Sequence, residues 1–431
     1  MSYSDTLDYL RKLQGESGKL SLANVGTLVA GLPFTDAIPF IQVAGTNGKG
    51  STSHFITSIL ARSGYRVGLF TSPHLIDVRE RIVVDGRPIS KANFVRQVTF
   101  ARKLAARART QGKIRNMPTF FEHLFLAALG YFHSRKVDVA VLEVGLGGRL
   151  DATSTVRPEI AVITNVSRDH TNILGRCLAD IAAEKAGIIK HKVPVVCGAL
   201  RGSLPRRIIR EKARRKGAPF FDVLECSRQL IIEKRPRSTR CRYESGGRRH
   251  RFTVNLAGLH QTLNAAIAVR ACDVLRGLGW KIPESAIGRG IASTRMPARI
   301  ERVAGQAPPL IIDGGHNVEG IRALTAYLAE KRIAKATIIF GVLRDKEYPL
   351  MVRELRPFAG RVILTDPPND RALPGEKLRP FFKGIPTTIE KDCGRALQLA
   401  KKSKRIIIVS GSLYLAGAMK RVVGRGGKRG H

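Results

Sequence analysis

The strongest constraint on the fold is a regular alternation of short apolar runs with longer segments of helical periodicity. The runs predicted as strands in the first half of the chain are Ile38–Ala44, Arg66–Phe70, Val137–Glu143, Ile160–Asn165 and Pro194–Cys197. The segments 51–63, 90–111, 118–134 and 178–190 carry apolar residues at helical spacing. Strands connected by crossover helices form a mostly parallel sheet that is covered on both faces. The sequence therefore predicts an α/β fold.

A second series of strands and helices begins near Leu310. Its predicted strands are 310–313, 336–341, 361–365 and 405–409. The polar, proline-containing stretch Ser293–Arg299 separates the two series, as a domain linker does. We predict a larger domain, residues 1–296, with a mostly parallel sheet, followed by a smaller Rossmann-like α/β domain, residues 297–431.

Charge and composition limit the possible partners. The chain of 431 residues has 74 Lys and Arg against 34 Asp and Glu, a net charge of +40, which suggests nucleic acid or an anionic membrane. Hydrophobic residues make up 43% of it, enough for a large buried core. No apolar stretch reaches the roughly 18 residues of a membrane span, and the acidic N-terminal segment lacks the apolar core of a secretory signal. The scattered cysteines, without a CxxC pair, suit a reducing compartment, so we expect a cytoplasmic protein.

A disproportionate share of the basic excess lies in one segment, residues 201–251, which has 17 Lys or Arg against 5 Asp or Glu. The plainer interpretation is a helix followed by solvated β-hairpins, and binding of a polyanion is the alternative. Its only aromatic residues are Phe220, Phe221 and Tyr243, unlike the interleaved aromatics of RNA-binding surfaces. We therefore do not expect nucleic acid as a partner. The basic, glycine-rich tail from Gly424 is expected to be frayed.

A glycine-rich loop, Gly45–Ser51, follows the first predicted strand and precedes a helix, which is the context of a phosphate-binding loop. Its glycines permit a tight turn with inward N–H groups, and the helix N-terminus favours an anion. Lys49 would meet the β- and γ-phosphates. The spacing departs from the usual Walker pattern, because Gly50 separates the lysine from Ser51. We predict nucleotide binding, against a structural turn, and hence a P-loop-type first domain.

Three polar residues follow neighbouring strands at the same predicted sheet edge. Ser72 follows the second strand, Glu143 ends the third, and His170 follows the fourth. Ligands of open α/β sheets gather at the carboxyl ends of the strands, and Mg²⁺ takes oxygen ligands. A buried carboxylate is costly unless it is paired or binds a cation, so Glu143 is a candidate magnesium ligand. On residue chemistry alone, Ser72 could equally be a turn serine and His170 a structural histidine.

Lys185 lies in a stretch with helical spacing, residues 180–188. The residue pattern alone indicates a solvated surface lysine that contributes little to stability. Nothing in spacing or composition marks it as functional.

Together these segments resemble the folylpolyglutamate synthase and dihydrofolate synthase family, a branch of the Mur ligase superfamily. The matching motifs are Gly45–Ser51, Thr71–Leu75, Pro118–Glu122, Leu142–Thr153, Asp169–Thr171, Glu184–Ile188, His260–Ala266, Asp313–Asn317, Asp345–Lys346 and Gly411–Tyr414. Any one could arise by chance, but their order and joint presence are specific. Only residues 200–255 and the tail do not match.

The resemblance implies roles for the matching residues. Those that would bind ATP are Thr46, Asn47, Gly48, Lys49, Gly50, Ser51, Asn264, Arg299 and Asp313. The ligands of two Mg²⁺ ions would be Ser72, Glu143, His170 and a carbamate formed on Lys185 by carbon dioxide. Residues implied at the substrate site, where the pterin would bind, are Thr119, Phe120, Phe121, Glu122 and Asp151. The catalytic residues would be Lys49, Lys185 and His316.

The implied reaction is ATP-dependent ligation of L-glutamate to dihydropteroate, to folates, or to both. A substrate carboxylate attacks the γ-phosphate of ATP, and the glutamate amine then attacks the acyl phosphate to give an amide, ADP and phosphate. The first domain would be an ATP-binding domain of the Mur ligase central type and the second a glutamate ligase domain. Because the acyl phosphate is sensitive to water, the second domain is expected to close over the first. The resemblance also suggests a monomer.

Four positions near the implied site depart from the family pattern. They are Ser154 in place of Asn, Asn172 in place of an acid, Ala298 in place of Gly, and Gly315 in place of Ala. None of them removes a proposed metal ligand, so they bear on substrate choice more than on catalysis. Another Mur-type amino-acid ligase is the nearest alternative, and a basic RNA-binding P-loop NTPase is an alternative from a different class.

Overall fold

The computed structural model describes residues 1–13, 21–224, 231–245 and 247–426. The chain divides into two compact units. The first comprises Met1–Lys234, Thr239–Thr253 and Leu263–Thr294, and the second comprises Arg235–Ser238, Val254–Thr262 and the chain from Arg295 onward. The division at residue 296 stays a prediction, and two short segments that precede it belong to the second unit.

A sheet of eight strands lies in the first unit, counted over the described residues. Its strands are β1 (Phe40–Ala44), β2 (Val67–Phe70), β3 (Ile82–Val84), β4 (Arg87–Pro88), β5 (Val139–Glu143), β6 (Pro158–Ile163), β7 (Val195–Cys197) and β8 (Phe220–Asp222), in the order β4-β3-β2-β5-β1-β6-β7-β8. Six neighbouring strands of this sheet run parallel, namely β2, β5, β1, β6, β7 and β8. Strands β3 and β4 are added antiparallel at the edge next to β2. The mostly parallel α/β sheet predicted from the sequence is confirmed.

Helices connect these strands. They are α1 (Tyr3–Lys12), α2 (Ala23–Ala30), α3 (Lys49–Arg62), α4 (Lys91–Thr110), α5 (Phe120–Ser134), α6 (Thr171–Leu174), α7 (Leu178–Ala186) and α8 (Leu204–Arg215). Every residue of β1 and β5 is buried, as expected for parallel strands covered on both faces. This continuous burial explains why their sequences are apolar except at Gln42 and Glu143.

The register of the central strands brings the predicted site segments to one edge. β1 pairs with β5 at Val43↔Glu143 and with β6 at Ala44↔Ile163, while β2 pairs with β5 at Phe70↔Leu142. Because these strands are parallel and in step, the loops that follow all four emerge at the carboxyl edge of the sheet.

The basic segment forms α8 and a three-stranded sheet of β9 (Ile231–Lys234), β10 (Thr239–Ser245) and β11 (Arg248–Val254). The prediction of solvated hairpins is correct for one face only. Tyr243 and Phe252 are buried on one side, while Arg240, Arg249 and Arg251 are exposed on the other. The charge therefore occupies the outer face of an amphipathic sheet.

Two long helices follow, α9 (His260–Gly277) and α10 (Glu284–Ser293). The remaining elements are β12 (Glu301–Val303), β13 (Leu310–Ile312), α11 (Val318–Glu330), β14 (Ala336–Phe340), α12 (Tyr348–Leu355), β15 (Ala359–Leu364), α13 (Gly375–Leu378), β16 (Thr387–Ile389), α14 (Cys393–Lys401), β17 (Ile407–Ser410) and α15 (Leu413–Gly426). Across the described part of the second unit, the strands form one sheet in the order β12-β13-β17-β14-β15-β16, parallel except for β12.

The end of the chain differs in part from its prediction. Helix α15 continues to Gly426, so the tail is not frayed from Gly424, and residues 427–431 lie outside the described residues, as does Cys226. None of the helices within the described ranges is both long enough and apolar enough to cross a membrane.

Candidate active site

The predicted phosphate loop connects β1 to α3. Gly48 caps the helix in the left-handed region, at φ 81°, and a Cβ on it would overlap Asn264 Oδ1. A Cβ on Gly45 would overlap Thr164 Oγ1. Both positions therefore require glycine, because other chain segments approach the backbone closely. The same contact places the predicted ATP-binding residue Asn264 beside the loop.

Residues that follow β6 support the phosphate loop through hydrogen bonds, and they were not predicted from the sequence. The Asn47 N–H donates to Asn165 Oδ1 at 2.8 Å, and the Thr46 N–H donates to Asn165 O at 3.1 Å. The Thr164 hydroxyl donates to Asn47 O at 2.6 Å. With these two N–H groups committed, the first turn of α3 supplies the N–H groups that an anion would meet. These residues could have been found from the sheet order, because β6 lies next to β1 and its end therefore lies beside the phosphate loop.

Two lysines converge on this loop. Lys49 Nζ donates to Gly45 O at 3.0 Å and to Thr46 O at 3.1 Å, and Lys185 Nζ donates to Gly45 O at 3.0 Å. Lys185 is 3% exposed, so the prediction of a surface lysine is wrong.

Its surroundings disfavour the protonated form of Lys185. Burial, followed by the positive charge of Lys49, lowers its pKa from 10.5 to about 7, while the carboxylates of Asp169, Asp151 and Glu184 oppose this shift. Near neutral pH a large fraction of this amine is therefore uncharged, which makes it nucleophilic.

The burial of Lys185 follows from the periodicity of α7. Ile181 and Ala182 are buried at four and three residues before it, so Lys185 lies on the apolar face of the helix. The loop after β5 packs on the same turn: the Arg149 N–H donates to Glu184 O at 2.9 Å, and its guanidinium reaches Glu184 Oε1 at 2.7 Å. Contrary to the expectation from the sequence, spacing did distinguish this residue, because Lys185 is in phase with the apolar positions of the helix.

Two of the predicted metal ligands are adjacent. Glu143 is 5% exposed at the end of β5, and its Oε2 accepts a hydrogen bond from the Ser72 N–H at 3.1 Å. His170 lies at the start of α6 with a left-handed φ of 51°, and its Nε2 is 3.9 Å from Asp169 Oδ1. Over the described ranges no group of three or more His, Cys, Asp or Glu side chains is arranged to hold a metal ion. The three-ligand site therefore stays a prediction, although a carboxylate and a serine hydroxyl suit Mg²⁺ chemically.

Asp151 is engaged with its own loop. Its Oδ2 accepts from the N–H groups of Gly145 and Leu146 at 2.9 and 3.0 Å, and its Oδ1 accepts from the N–H and hydroxyl of Thr153 at 3.0 and 2.6 Å. Burial raises the pKa of Asp151, while these hydrogen bonds oppose the rise. The carboxylate thereby shapes the loop that follows Glu143, and its predicted contact with substrate remains a prediction.

The predicted pterin residues divide into two pairs. Thr119 and Glu122 cap α5: Glu122 Oε2 accepts from the Thr119 N–H at 2.7 Å, and Thr119 Oγ1 accepts from the Glu122 N–H at 3.4 Å. Phe121 packs against Gly145, and its ring centroid lies 5.4 Å from that of Phe70. The Phe120 ring lies 5.2 Å from the Arg81 guanidinium. Phe121 therefore lies beside the loop that follows β5, and Phe120 lies beside Arg81. We refer to these two neighbouring rings as the aromatic wall.

The predicted residues of the second unit cluster near the loop after β13. Asp313 accepts hydrogen bonds from two backbone N–H groups, at 2.8 and 3.0 Å, and burial raises its pKa against the charge of Arg299. His316 Nδ1 lies 3.0 Å from Gly314 O. Sequence reasoning assigned no role to His260, yet burial and the charge of Arg299 lower its pKa to about 4, so it is a neutral neighbour of this cluster.

Two of the departures from the family pattern, Ser154 and Gly315, have local explanations, and a third, Ala298, does not. The Ser154 hydroxyl donates to Gly148 O at 2.6 Å, which gives this serine a structural role in the loop after β5. Ala298, in place of Gly, adopts a left-handed φ of 55°. A Cβ on Gly315 would lie 2.6 Å from Asp313 Oδ2, so glycine is what the present conformation accommodates.

Comparison with known proteins identifies the family. Residues 43–272 match the Mur ligase middle domain, and residues 298–413 match the Mur ligase glutamate ligase domain. The sequence is 36% identical over 397 residues, 90% of each chain, to folylpolyglutamate synthase of Lacticaseibacillus casei. It is 32% identical over 421 residues, 96% of this chain and 97% of the relative, to the dihydrofolate synthase/folylpolyglutamate synthase of Bacillus subtilis.

Solved structures of members of this family are similar to this chain. Mycobacterium tuberculosis folylpolyglutamate synthase complexed with ADP and AMPPCP is similar, with a TM-score of 0.89 and 29% identity over 98% of this chain and 99% of that one. Escherichia coli FolC in complex with DHPP and ADP has a TM-score of 0.85 and 26% identity over 99% and 98% of the two chains. The resemblance predicted from the motifs is confirmed, and the chain belongs to the folylpolyglutamate synthase/dihydrofolate synthase family of Mur ligases.

Proposed function

We propose that this protein is an ATP-dependent ligase that joins L-glutamate to dihydropteroate, to folates, or to both, through an acyl phosphate. The observation that carries the proposal is the buried Lys185 amine, 3.0 Å from the carbonyl of Gly45 in the phosphate loop. A buried lysine with a pKa of about 7 is costly for the fold and has no purely structural advantage there. Its position suits a role in the chemistry of a bound nucleotide.

The phosphate loop would bind the ATP phosphates. Lys49 donates to two loop carbonyls in the structure, and on ATP binding its ammonium exchanges these for phosphate oxygens. The first turn of α3 adds backbone N–H groups and the positive end of the helix. Together they offset charge that spreads over the γ-phosphoryl oxygens as the substrate carboxylate attacks.

Glu143 and Ser72 are suited to hold a magnesium ion, with His170 as the further ligand expected from the family. The support is chemical: a carboxylate 5% exposed at the end of a buried strand needs a cation or hydrogen bonds, and it lies beside the Ser72 backbone. When bound, Mg²⁺ would polarise the phosphates and lower the barrier to attack. Ser72 and Glu143 would hold it from the ends of neighbouring strands.

Lys185 would carry the carbamate. Its neutral amine forms an N–C bond with carbon dioxide and releases one proton, so an uncharged group becomes an anion. The charge of Lys49, which disfavours the ammonium form of Lys185, favours the carbamate for the same reason. The carbamate oxygens would then add to the oxygen donors around Glu143.

The aromatic wall of Phe120 and Phe121 provides an apolar, flat surface of the kind on which a pterin ring stacks. Thr119, Glu122 and Asp151 shape the backbone around it through the bonds described above. We further assign Asn264, Arg299 and Asp313 to ATP and His316 to catalysis, on the resemblance alone. The enzyme is proposed to act as a monomer in the cytoplasm.

A coupled ADP-release assay tests the function. ADP release should require Mg²⁺, L-glutamate and a pterin acid, and comparing dihydropteroate with tetrahydrofolate identifies the preferred substrate. ADP release that needs RNA and ignores both substrates would establish an RNA-dependent NTPase instead. Release with a different acid and amino acid, and with neither pterin, would point to another Mur-type ligase.

A further inference from the structure

A hydrogen-bond chain between α1 and α5 takes no part in the proposed chemistry. His123, on the first turn of α5, is fully buried. Its Nδ1 lies 2.8 Å from Pro118 O, and its Nε2 lies 2.8 Å from the hydroxyl of Tyr9 on α1. The chain therefore links the N-terminal helix to the residue that precedes the cap of α5.

The direction of each bond in this chain is fixed. A carbonyl oxygen only accepts, so the proton of the His123 ring is on Nδ1 and is donated to Pro118 O. Burial lowers the pKa of His123, which keeps the ring neutral and leaves Nε2 as an acceptor for the Tyr9 O–H. A single tautomer satisfies all three groups.

Tyr9 is itself held in place. Its ring meets the His123 ring edge-to-face, with centroids 5.5 Å apart, and the Arg102 guanidinium lies 5.8 Å from the Tyr9 centroid. Tyr3, six residues earlier on α1, donates to Asp77 Oδ1 at 3.1 Å, in the loop that follows Ser72. Helix α1 thus contacts both the loop that follows β2 and helix α5, which carries the aromatic wall.

Pro118, whose carbonyl accepts the hydrogen bond from His123, lies directly before the aromatic wall in the sequence. Pro118 is followed by Thr119, the cap of α5, and then by Phe120 and Phe121. Phe121 packs on Gly145, the residue whose N–H is held by Asp151. A displacement of Pro118 would therefore move the two rings relative to the end of β5.

We infer that Tyr9 and His123 are positioning residues for the pterin site: they fix the entry of α5 and thereby the orientation of Phe120 and Phe121. The inference rests on the proposed function, because it assigns the aromatic wall to the pterin. It predicts that the hydrogen bonds affect recognition of the pterin acid and leave use of ATP unchanged.

Four variants test this inference by steady-state kinetics. Tyr9→Phe and His123→Ala should raise KM for the pterin acid about 3- to 10-fold, as expected for the loss of one buried hydrogen bond, with kcat and KM for ATP within about 2-fold of wild type. His123→Asn retains an N–H donor near the position of Nδ1 and should restore most of the KM lost in His123→Ala. Tyr131→Phe, a buried tyrosine farther along α5, is the matched control and should behave as wild type.

Amide hydrogen exchange provides a readout that does not depend on activity. In Tyr9→Phe, exchange should become faster at residues 119–124 and stay unchanged in α3. Unchanged exchange there, or an equal rise in KM for ATP and the pterin acid, or no rescue by His123→Asn, would overturn the inference. If the wild type shows no pterin-dependent ADP release while exchange responds as expected, the proposed function fails and the positioning of the α5 entry stands.

Discussion

Replacing Lys185 by Met should abolish ligation and make the first unit more stable. The methionine side chain has a similar length and no charge, so it removes the cost of burying an ammonium group. Gly45 O keeps a partner, because Lys49 Nζ also donates to it at 3.0 Å. Lys185 lowers the stability of the fold and is retained for its chemistry. Its replacement should therefore remove activity and raise stability together.

The size of the gain follows from the pKa. A fall from 10.5 to about 7 corresponds to roughly 5 kcal/mol, at about 1.36 kcal/mol per pKa unit. The lost hydrogen bond to Gly45 O offsets about 1 kcal/mol. We therefore expect the free energy of unfolding of Lys185→Met to exceed that of the wild type by about 3 to 4 kcal/mol under mildly acidic conditions.

The sign of the pH dependence is determined by the same values. Between pH 7 and 10.5 the unfolded lysine binds a proton that the folded lysine does not, so wild-type stability from this group rises with pH. Below about 7 both states are protonated, and the folded state has the full cost. The advantage of Lys185→Met should thus be largest at about pH 6 and should vanish near pH 10.

Urea unfolding followed by tryptophan fluorescence measures this gain. The chain contains a single tryptophan, Trp280, which lies in the first unit 5.2 Å from the ring of Tyr65, so its signal reports on the unit that holds Lys185. Lys103→Met, at an exposed position on α4, is the matched control and should leave the midpoint unchanged. A Lys185→Met protein that is less stable than wild type at pH 6, with the same pH profile, would show that burial of the Lys185 amine does not destabilise the fold. Added bicarbonate should stabilise only the wild type if a carbamate forms.

Further predictions concern the metal, the loop, the second unit and a buried ion network. Glu143→Gln should lower Mg²⁺-dependent ADP release by about 100-fold without changing the melting temperature, and an unchanged Mg²⁺ titration would remove Glu143 from the site. Gly48→Ala should weaken ATP binding in calorimetry, because its Cβ would overlap Asn264 Oδ1; wild-type affinity would contradict the close approach. Ala298→Gly should stabilise the second unit by about 0.5 to 1 kcal/mol, since a left-handed alanine costs roughly 1–2 kcal/mol and glycine recovers most of this despite its entropy. Although burial alone would lower it, hydrogen bonds to Asp273 and Glu284 raise the pKa of His250. Its contribution to stability is full below about pH 6.5 and is lost as pH rises through the raised value, a dependence that His250→Gln should remove from urea-unfolding data.

The sequence predicted the central strands well because they are buried on both faces. β1 and β5 were apparent as mostly apolar runs, interrupted only by Gln42 and Glu143, and the helices between them were apparent from their helical periodicity. The short edge strands were missed. β4 is exposed and contains only Arg87 and Pro88, and β12 has three partly exposed residues, so neither has an apolar pattern to recognise. Their pairing is imposed by neighbouring strands and has no local sequence signal.

The sequence predicted the motifs of the site, but it did not predict the contacts that support those motifs. Spacing indicated the phosphate loop and the carboxylate of Glu143. The environment of Lys185, by contrast, depends on the packing of α7 against the loop after β5, and the support of the loop by Asn165 depends on sheet order. Such contacts join residues 35 positions apart in the case of Arg149 and Glu184 and 118 apart in the case of Asn47 and Asn165, which a pattern of local spacing does not encode.

Oxygen-18 labelling is the most direct test of ligation through an acyl phosphate. Dihydropteroate or tetrahydrofolate labelled with oxygen-18 in the reacting carboxylate is incubated with ATP, Mg²⁺ and L-glutamate, and the products are analysed by mass spectrometry. Ligation through an acyl phosphate predicts a pterin product extended by one glutamate and one labelled oxygen in the released phosphate, because the carboxylate oxygen that attacks the γ-phosphate leaves with it. Unlabelled phosphate, or ADP release without an extended product, would contradict ligation through an acyl phosphate.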